Sequence, residues 1–224
     1  MHIGLIGGIG PAATEFYYRG LVNAFAAANE RLELTMVNAS TADLLHNLVN
    51  DTPQDQARIF LKFVERLQAA GADVAVVTSM GGHFCIRELE AISPLPLINA
   101  IPVLDAYFAD EGVGAIGLIG TRAVMQSRLY GGVTSVDIIV PEGDALQETH
   151  DNYVAIATLG AATGIQRDYF VSLGEKLCRQ RGADAIALGG TDLFVVFDGT
   201  DPGYRVIDLA QVHIDAIAAR ALGG

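Results

Sequence analysis

Ile3-Gly4-Leu5-Ile6-Gly7 recurs letter for letter at Ile116-Gly117-Leu118-Ile119-Gly120, and Gly71-Ala72-Asp73 recurs at Gly182-Ala183-Asp184. The offsets are 113 and 111 residues, so order and spacing are preserved together with the residues. A single short apolar repeat would carry little weight. Two of them, in the same order and at nearly the same offset, point to two copies of one α/β unit. Two such halves are expected to face each other across a cleft lined by mirrored loops. The sixth residue after the repeated Asp is Ser79 in one copy and Gly190 in the other.

Outward from these stretches, short apolar runs alternate with longer helical patterns, which argues for parallel sheets with helices on their faces. In the first half the pattern predicts strands at 2–7, 32–38, 74–78 and 94–98, and helices at 11–28, 53–70 and 82–91. In the second half it predicts strands at 113–120, 136–140, 185–189 and 204–208, helices over most of 142–162 and at 166–181, and a terminal helix at 209–222. Pro94, Pro96 and Pro102 mark the seam between halves. The expected fold is α/β, in two pseudo-symmetric three-layer halves with an active-site cleft between them. The first half comprises residues 1–99 plus a returning segment 209–224, and the second residues 100–208. The turn-rich stretch Asp198–Gly203 reads as a loop.

The chain has 224 residues, 51% of them apolar, which is enough for a sizeable core and excludes a disordered chain. Its net charge is −12, with only 14 Lys and Arg and no basic run, which argues against a nucleic-acid partner. An anionic ligand would have to be held by backbone N–H groups, helix N-termini and hydroxyls. No apolar run reaches the ~18 residues of a membrane helix, and nothing ahead of Ile3 reads as a signal peptide. The expectation is a cytoplasmic protein with Cys85 and Cys178 reduced and no membrane partner.

Three loops follow strands and carry the candidate chemistry. Gly8-Ile9-Gly10, ahead of Pro11, could pass for the start of a dinucleotide fingerprint, but that motif needs an acidic residue at the end of the second strand. Asn38-Ala39-Ser40 stands there instead, so neither a nicotinamide nor a flavin is expected. The loop reads better as a small anion site, or as a tight turn with no ligand. Ser79-Met80-Gly81 follows the third strand; Ser79 could bind a carboxylate, act as a nucleophile beside a base, or cap the next helix. His83 reads as structural or as a proton carrier, and with Cys85 it makes a poor metal signature, so no metal is expected. Gly190-Thr191-Asp192 is the mirrored loop, where Thr191 and Asp192 either cap a helix or touch a ligand. Thr121 reads as a helix cap that can also face the cleft. Both cysteines lie in helical patterns and read as small buried hydrophobes.

These residues, in this order, resemble the cofactor-independent aspartate/glutamate racemase family over essentially the whole chain. Ile6-Gly7-Gly8-Ile9-Gly10-Pro11-x-Ala13-Thr14 resembles the family's opening Gly-Gly-Met-Gly-Pro-x-Ala-Thr loop. Gly120-Thr121-Arg122-Ala123-x-Met125, with Tyr130 beyond it, resembles its Gly-Thr-x-x-Thr-Met…Tyr segment. Ile139-Val140-Pro141-Glu142 is similar to the strand and helix start that follow. Asp208 with His213 resembles its closing Asp-Thr-Thr-x-x-His pattern, with Leu209 and Ala210 in place of the threonines. The family's two catalytic cysteines lie in Cys-Asn-Thr-x-His and Gly-Cys-Thr-Glu motifs. The first corresponds to Ser79-Met80-Gly81-Gly82-His83, and the second to Gly189-Gly190-Thr191-Asp192. Neither thiol is present.

The resemblance implies an isomerase that needs no cofactor, a small carboxylate or acidic amino acid as ligand, and a homodimer. Two-base racemisation needs an acid and a base on opposite faces of the α-carbon. A thiol titrating at about 8.5 can be tuned toward neutrality, whereas a serine hydroxyl needs a partner base and glycine offers nothing. Ser79, His83, Gly190 and Asp192 thus stand at the catalytic positions. Gly8, Ile9, Gly10, Asn38, Ser40, Met80, Gly81, Thr121 and Thr191 are the expected ligand contacts. The rival expectation is a catalytically silent carboxylate-binding or regulatory protein, or a lyase-type relative with changed chemistry.

Overall fold

The computed structural model describes residues 1–223. In each of two parallel sheets the repeated apolar word forms a strand that is paired on both sides. In the first, β1 (His2–Gly7) lies between β2 (Glu33–Asn38) and β3 (Val74–Val77). Ile3 stands opposite Leu34 and Val74, and Gly7 stands opposite Asn38. In the second, β4 (Ala115–Ile119) lies between β5 (Asp137–Ile139) and β6 (Ala185–Leu188), with β7 (Val206–Asp208) beyond β6. Ile116 pairs with Ile138 and Ala185, and Leu188 pairs with Asp208. The fold is α/β with two parallel sheets. The chain divides into two compact units, Met1–Ala100 with the segment from His213 onward, and Ile101–Val212.

The glycine inside each repeated word has a packing reason. A Cβ on Gly4 would lie 2.9 Å from Cδ1 of Leu67, on α3 (Pro53–Ala69). A Cβ on Gly117 would lie 3.1 Å from Leu177, on α8 (Gly164–Arg181). The strand gives up a side chain so that a helix leucine can sit directly on its backbone. Phe60, Val64 and Leu67 of α3 then bury one face on the first sheet, and Phe170, Leu173 and Leu177 of α8 bury theirs on the second. Each large apolar side chain buried this way stabilises by roughly 1.5–3 kcal/mol relative to exposure.

Several boundaries depart from the pattern reading, each for a local reason. The predicted helix 82–91 begins as a 3-10 turn, Gly81–Cys85, because the glycine pair favours a tight turn, and becomes α4 only over Ile86–Ile92. Pro94 and Pro96 each lack an N–H, and the predicted strand 94–98 reduces to one bridge, Ala75 to Leu97. That bridge lies beside β3, as β7 lies beside β6. Residues after Ser40 form α2 (Thr41–Val49), a nine-residue helix capped by Ser40 that the apolar pattern does not predict because it is so short. Seam residues form α5 (Ala100–Glu111); Pro102 falls in its first turn, where a missing N–H costs nothing. The remaining helices are α1 (Pro11–Ala27), α6 (Arg122–Gln126), α7 (Asp144–Leu159), α9 (Phe194–Phe197) and α10 (Leu209–Leu222). Among the described residues, no helix is long and apolar enough to cross a membrane.

Candidate functional site

Parallel sheets present loops at the carboxyl ends of their strands, where ligands of open α/β folds bind. In the first unit these loops are Gly8–Gly10 after β1, Asn38–Ser40 after β2 and Thr78–Gly81 after β3. Much of their hydrogen bonding is internal. The Gly8 N–H donates to Thr14 Oγ1 at 2.9 Å, and the Thr41 hydroxyl donates to Gly8 O at 2.8 Å. Asn38 Nδ2 donates to Ala39 O, and Ser40 Oγ accepts from Asp43 N–H to cap α2. The Gly8 amide is therefore not open to an anion, and the Ser40 side chain is a cap. Ile9 and Gly10 are buried, and α1 begins at Gly10-Pro11 without a side-chain cap.

Ser79 is 4% exposed, and its Oγ accepts from Gly82 N–H at 3.3 Å. A serine hydroxyl that accepts once still has its hydrogen to donate. Met80 is fully buried and Gly81 is partly exposed. His83 is held by backbone at both nitrogens: Nδ1 pairs with Ser79 O at 2.7 Å, and Nε2 accepts from Ala100 N–H at 3.2 Å. Because Nε2 accepts, Nδ1 carries the proton and donates. Burial lowers the His83 pKa to about 4, against the opposing effect of its bond to Ser79 O. In this arrangement the imidazole is neutral and holds the Ser79 loop in place, with no nitrogen open to a ligand.

In the second unit the loops follow β4 and β6. Thr121 Oγ1 accepts from Val124 N–H, capping α6 as expected from the sequence. Gly189 N–H and Gly190 N–H both donate to Ile119 O. A Cβ on Gly190 would lie 2.3 Å from Cε2 and 2.6 Å from Cδ2 of Tyr153. The Tyr153 hydroxyl donates to Asp192 Oδ2 at 3.1 Å, and Asp192 is fully buried. Burial first, and then the Asp192 charge, push the Tyr153 phenol well above its ordinary range. Thr191 is 1% exposed and its Oγ1 is buried without a hydrogen-bond partner of good geometry, although it lies close enough to the Tyr153 phenol to favour the phenolate.

Nothing in the sequence marks Tyr153. It sits mid-helix in α7, 37 residues before Gly190, and no local pattern surrounds it. Asp208, at the end of β7, is a second residue whose setting the sequence hides. Burial raises its carboxyl to about 6, against N–H donors from Ala210 and Gln211. The resemblance includes this residue, but the half-buried setting of its carboxyl depends on tertiary packing.

Neither cysteine lies in a strand-end loop. Cys85 is buried, donates to Gly82 O, and is pushed up to about 12 by burial and by Glu88. Cys178 lies in α8 and is raised by burial and by Asp184. Among the described residues, no three His, Cys, Asp or Glu side chains gather as a metal site.

The fold has counterparts among known structures. A candidate Asp/Glu racemase from Yersinia pestis is 25% identical, with TM-score 0.84 over 99% of this chain and 100% of that one. An aspartate racemase homologue from Pyrococcus horikoshii is 20% identical, with TM-score 0.80 over 99% of both chains. The aspartate racemase of Picrophilus torridus is 18% identical, with TM-score 0.78 over 100% of this chain and 95% of that one. The model of the Asp/Glu/hydantoin racemase family matches residues 6–217. The strand order, the glycine loops and the match over nearly the whole length have one reading: this chain belongs to the Asp/Glu/hydantoin racemase family.

Proposed function

We propose that this chain binds a small carboxylate, by preference an acidic amino acid, at the carboxyl ends of its strands, and does not racemise it with a pair of thiols. The observation that carries the reading is Thr191 Oγ1, a hydroxyl at the end of β6 that is buried without a well-formed partner. Leaving such a group unpaired costs about 1–3 kcal/mol, which a carboxylate oxygen would recover. Ser79, with a hydrogen still to donate, is its counterpart after β3. Membership of the Asp/Glu/hydantoin racemase family supports reading its ligand as an amino acid or close analogue. A homodimer in the cytoplasm fits the same family reading.

The absence of thiols at 79 and 190 supports binding over two-base inversion. A second reading, carbanion or eliminative chemistry, is favoured by one observation: Asp208 is a carboxyl titrating at about 6 at the same edge of the second sheet. A group poised near neutrality suits proton transfer.

Thermal unfolding with each enantiomer of aspartate and glutamate, and with non-amino dicarboxylates, tests the first reading. A ligand that binds the folded state raises the unfolding temperature with concentration. Proton NMR in heavy water then separates the two readings. Stabilisation without α-proton exchange identifies a binding protein. Exchange faster than a no-protein control, abolished by Asp208→Asn, identifies surviving carbanion chemistry. No stabilisation by any small carboxylate would overturn both.

A further inference from the structure

Gly190 and Tyr153 compete for one space. Three ring atoms of Tyr153 lie 2.3, 2.6 and 2.8 Å from the position a Cβ would take on Gly190, distances at which no side chain fits unless the ring moves. The ring has little freedom to move. It belongs to a buried cluster with Ile119, Ile156, Phe170, Leu188 and Leu193, and its hydroxyl is tied to Asp192. Helix α7 anchors it, starting at Asp144 and ending at a left-handed Gly160.

We propose that Tyr153 is a plug that stands in for the side chain of residue 190, so that the loop after β6 offers a ligand a hydroxyl and backbone but no proton-transferring group at that position. Tyr153 is then a specificity-determining residue. Together with the glycine it leaves any α-carbon chemistry without a group from position 190, so that configuration is not inverted. The role toward a ligand rests on the carboxylate-binding reading; the shared space does not.

Two residues sharing one space must show coupled stability, which a mutant cycle measures directly. In the full chain, Gly190→Cys with Tyr153 present is expected to lower the unfolding temperature by roughly 5 °C or more, because overpacking a filled core strains it. The added thiol should react with Ellman's reagent no faster than the native cysteines. In a Tyr153→Ala background the same change is expected to be neutral or stabilising, since the thiol fills the cavity the ring has left, and the added thiol should become reactive. Tyr153→Phe keeps the ring and should leave the Gly190→Cys penalty in place. Should Tyr153→Ala fail to fold, Gly190→Ala against the native ring decides by itself: loss of stability supports the plug, and tolerance overturns it. An equal Gly190→Cys penalty in both backgrounds also overturns it, as does inversion of an amino acid by the native chain. Coupling without any carboxylate-induced stabilisation would leave the plug standing and remove the binding reading; stabilisation without coupling would do the reverse.

Discussion

The rings of His83 and His213 meet edge to face, 5.9 Å between centroids and 76° between planes, and all four of their nitrogens are bonded to protein groups. His213 Nε2 pairs with Ile98 O at 3.0 Å, so Nε2 carries the proton and Nδ1 accepts from the Tyr17 hydroxyl at 2.9 Å. Tyr17, His213 and His83 thus form a buried polar row in the first unit, in which each member has partners. Such a row stabilises only while both imidazoles stay neutral.

Acid should therefore destabilise the fold in a defined window. Burial depresses His83 from 6.5 to about 4; burial and the His83 charge depress His213 from 6.5 to about 3. The unfolded chain binds protons that the folded chain refuses, so stability is complete above pH 6.5 and is lost as pH falls toward 4 and then 3. Each histidine contributes on the order of 3 to 5 kcal/mol at full loss. Asp208 opposes them: raised from 3.8 to about 6, it stabilises at low pH and loses that contribution as pH rises from 3.8 through 6. Two groups outweigh one, so urea unfolding between about pH 7.5 and 4 should show a net decline. A flat profile would remove this account.

Tyr17→Phe removes one hydroxyl and leaves His213 Nδ1 buried without its donor. An orphaned buried acceptor costs about 1–3 kcal/mol. The same change should raise the proton affinity of His213, because the freed nitrogen gains from protonation. Chemical denaturation near neutral pH checks the first effect, and histidine NMR titration the second.

Thr191→Val keeps the shape and deletes the buried hydroxyl that has no well-formed partner. Replacing an unsatisfied polar group with an apolar one of the same shape is neutral or stabilising. The expected outcome is an unchanged or raised unfolding temperature together with carboxylate affinity reduced roughly tenfold, the loss of one hydrogen bond. Unchanged affinity would argue that Thr191 does not touch the ligand.

Thr163 begins α8 with a reciprocal capping box: its hydroxyl accepts from Gln166 N–H, and Gln166 Oε1 accepts from Thr163 N–H. Thr163→Ala should cost about 1 kcal/mol and leave ligand binding unchanged, since the box holds the start of α8 and its further contact is one Gln166 Nε2 bond to Asn152 O of α7. Unfolding and binding measured on one preparation distinguish a local cap from a residue coupled to the site.

The sheets were legible in the repeated word because a buried parallel strand needs an unbroken apolar run, which few other structures produce. Gly4 and Gly117 were legible as repeats but not as contacts; Leu67 and Leu177, the residues they make room for, lie 63 and 60 positions away. The helix Thr41–Val49 is not legible in the sequence because nine residues are too short a window to set a helical period apart from a loop. At the candidate site, Ser79, Thr121 and Asp192 stand out in the sequence because they follow strands or open helices. Tyr153 was invisible, since a tyrosine in mid-helix has no signature until the helix is docked.

The sequence by itself determined the α/β class, the strand-end loops, the family resemblance and the absence of cysteine at positions 79 and 190. All of these are properties of residue type and order along the chain. Only the tertiary structure decided that His83 has both nitrogens held by backbone, that Cys85 is a buried thiol pushed up to about 12, and that the space beside Gly190 is filled by Tyr153. Those outcomes depend on which distant groups share a volume and are shielded together from water, and that is settled by packing rather than by neighbours in the chain.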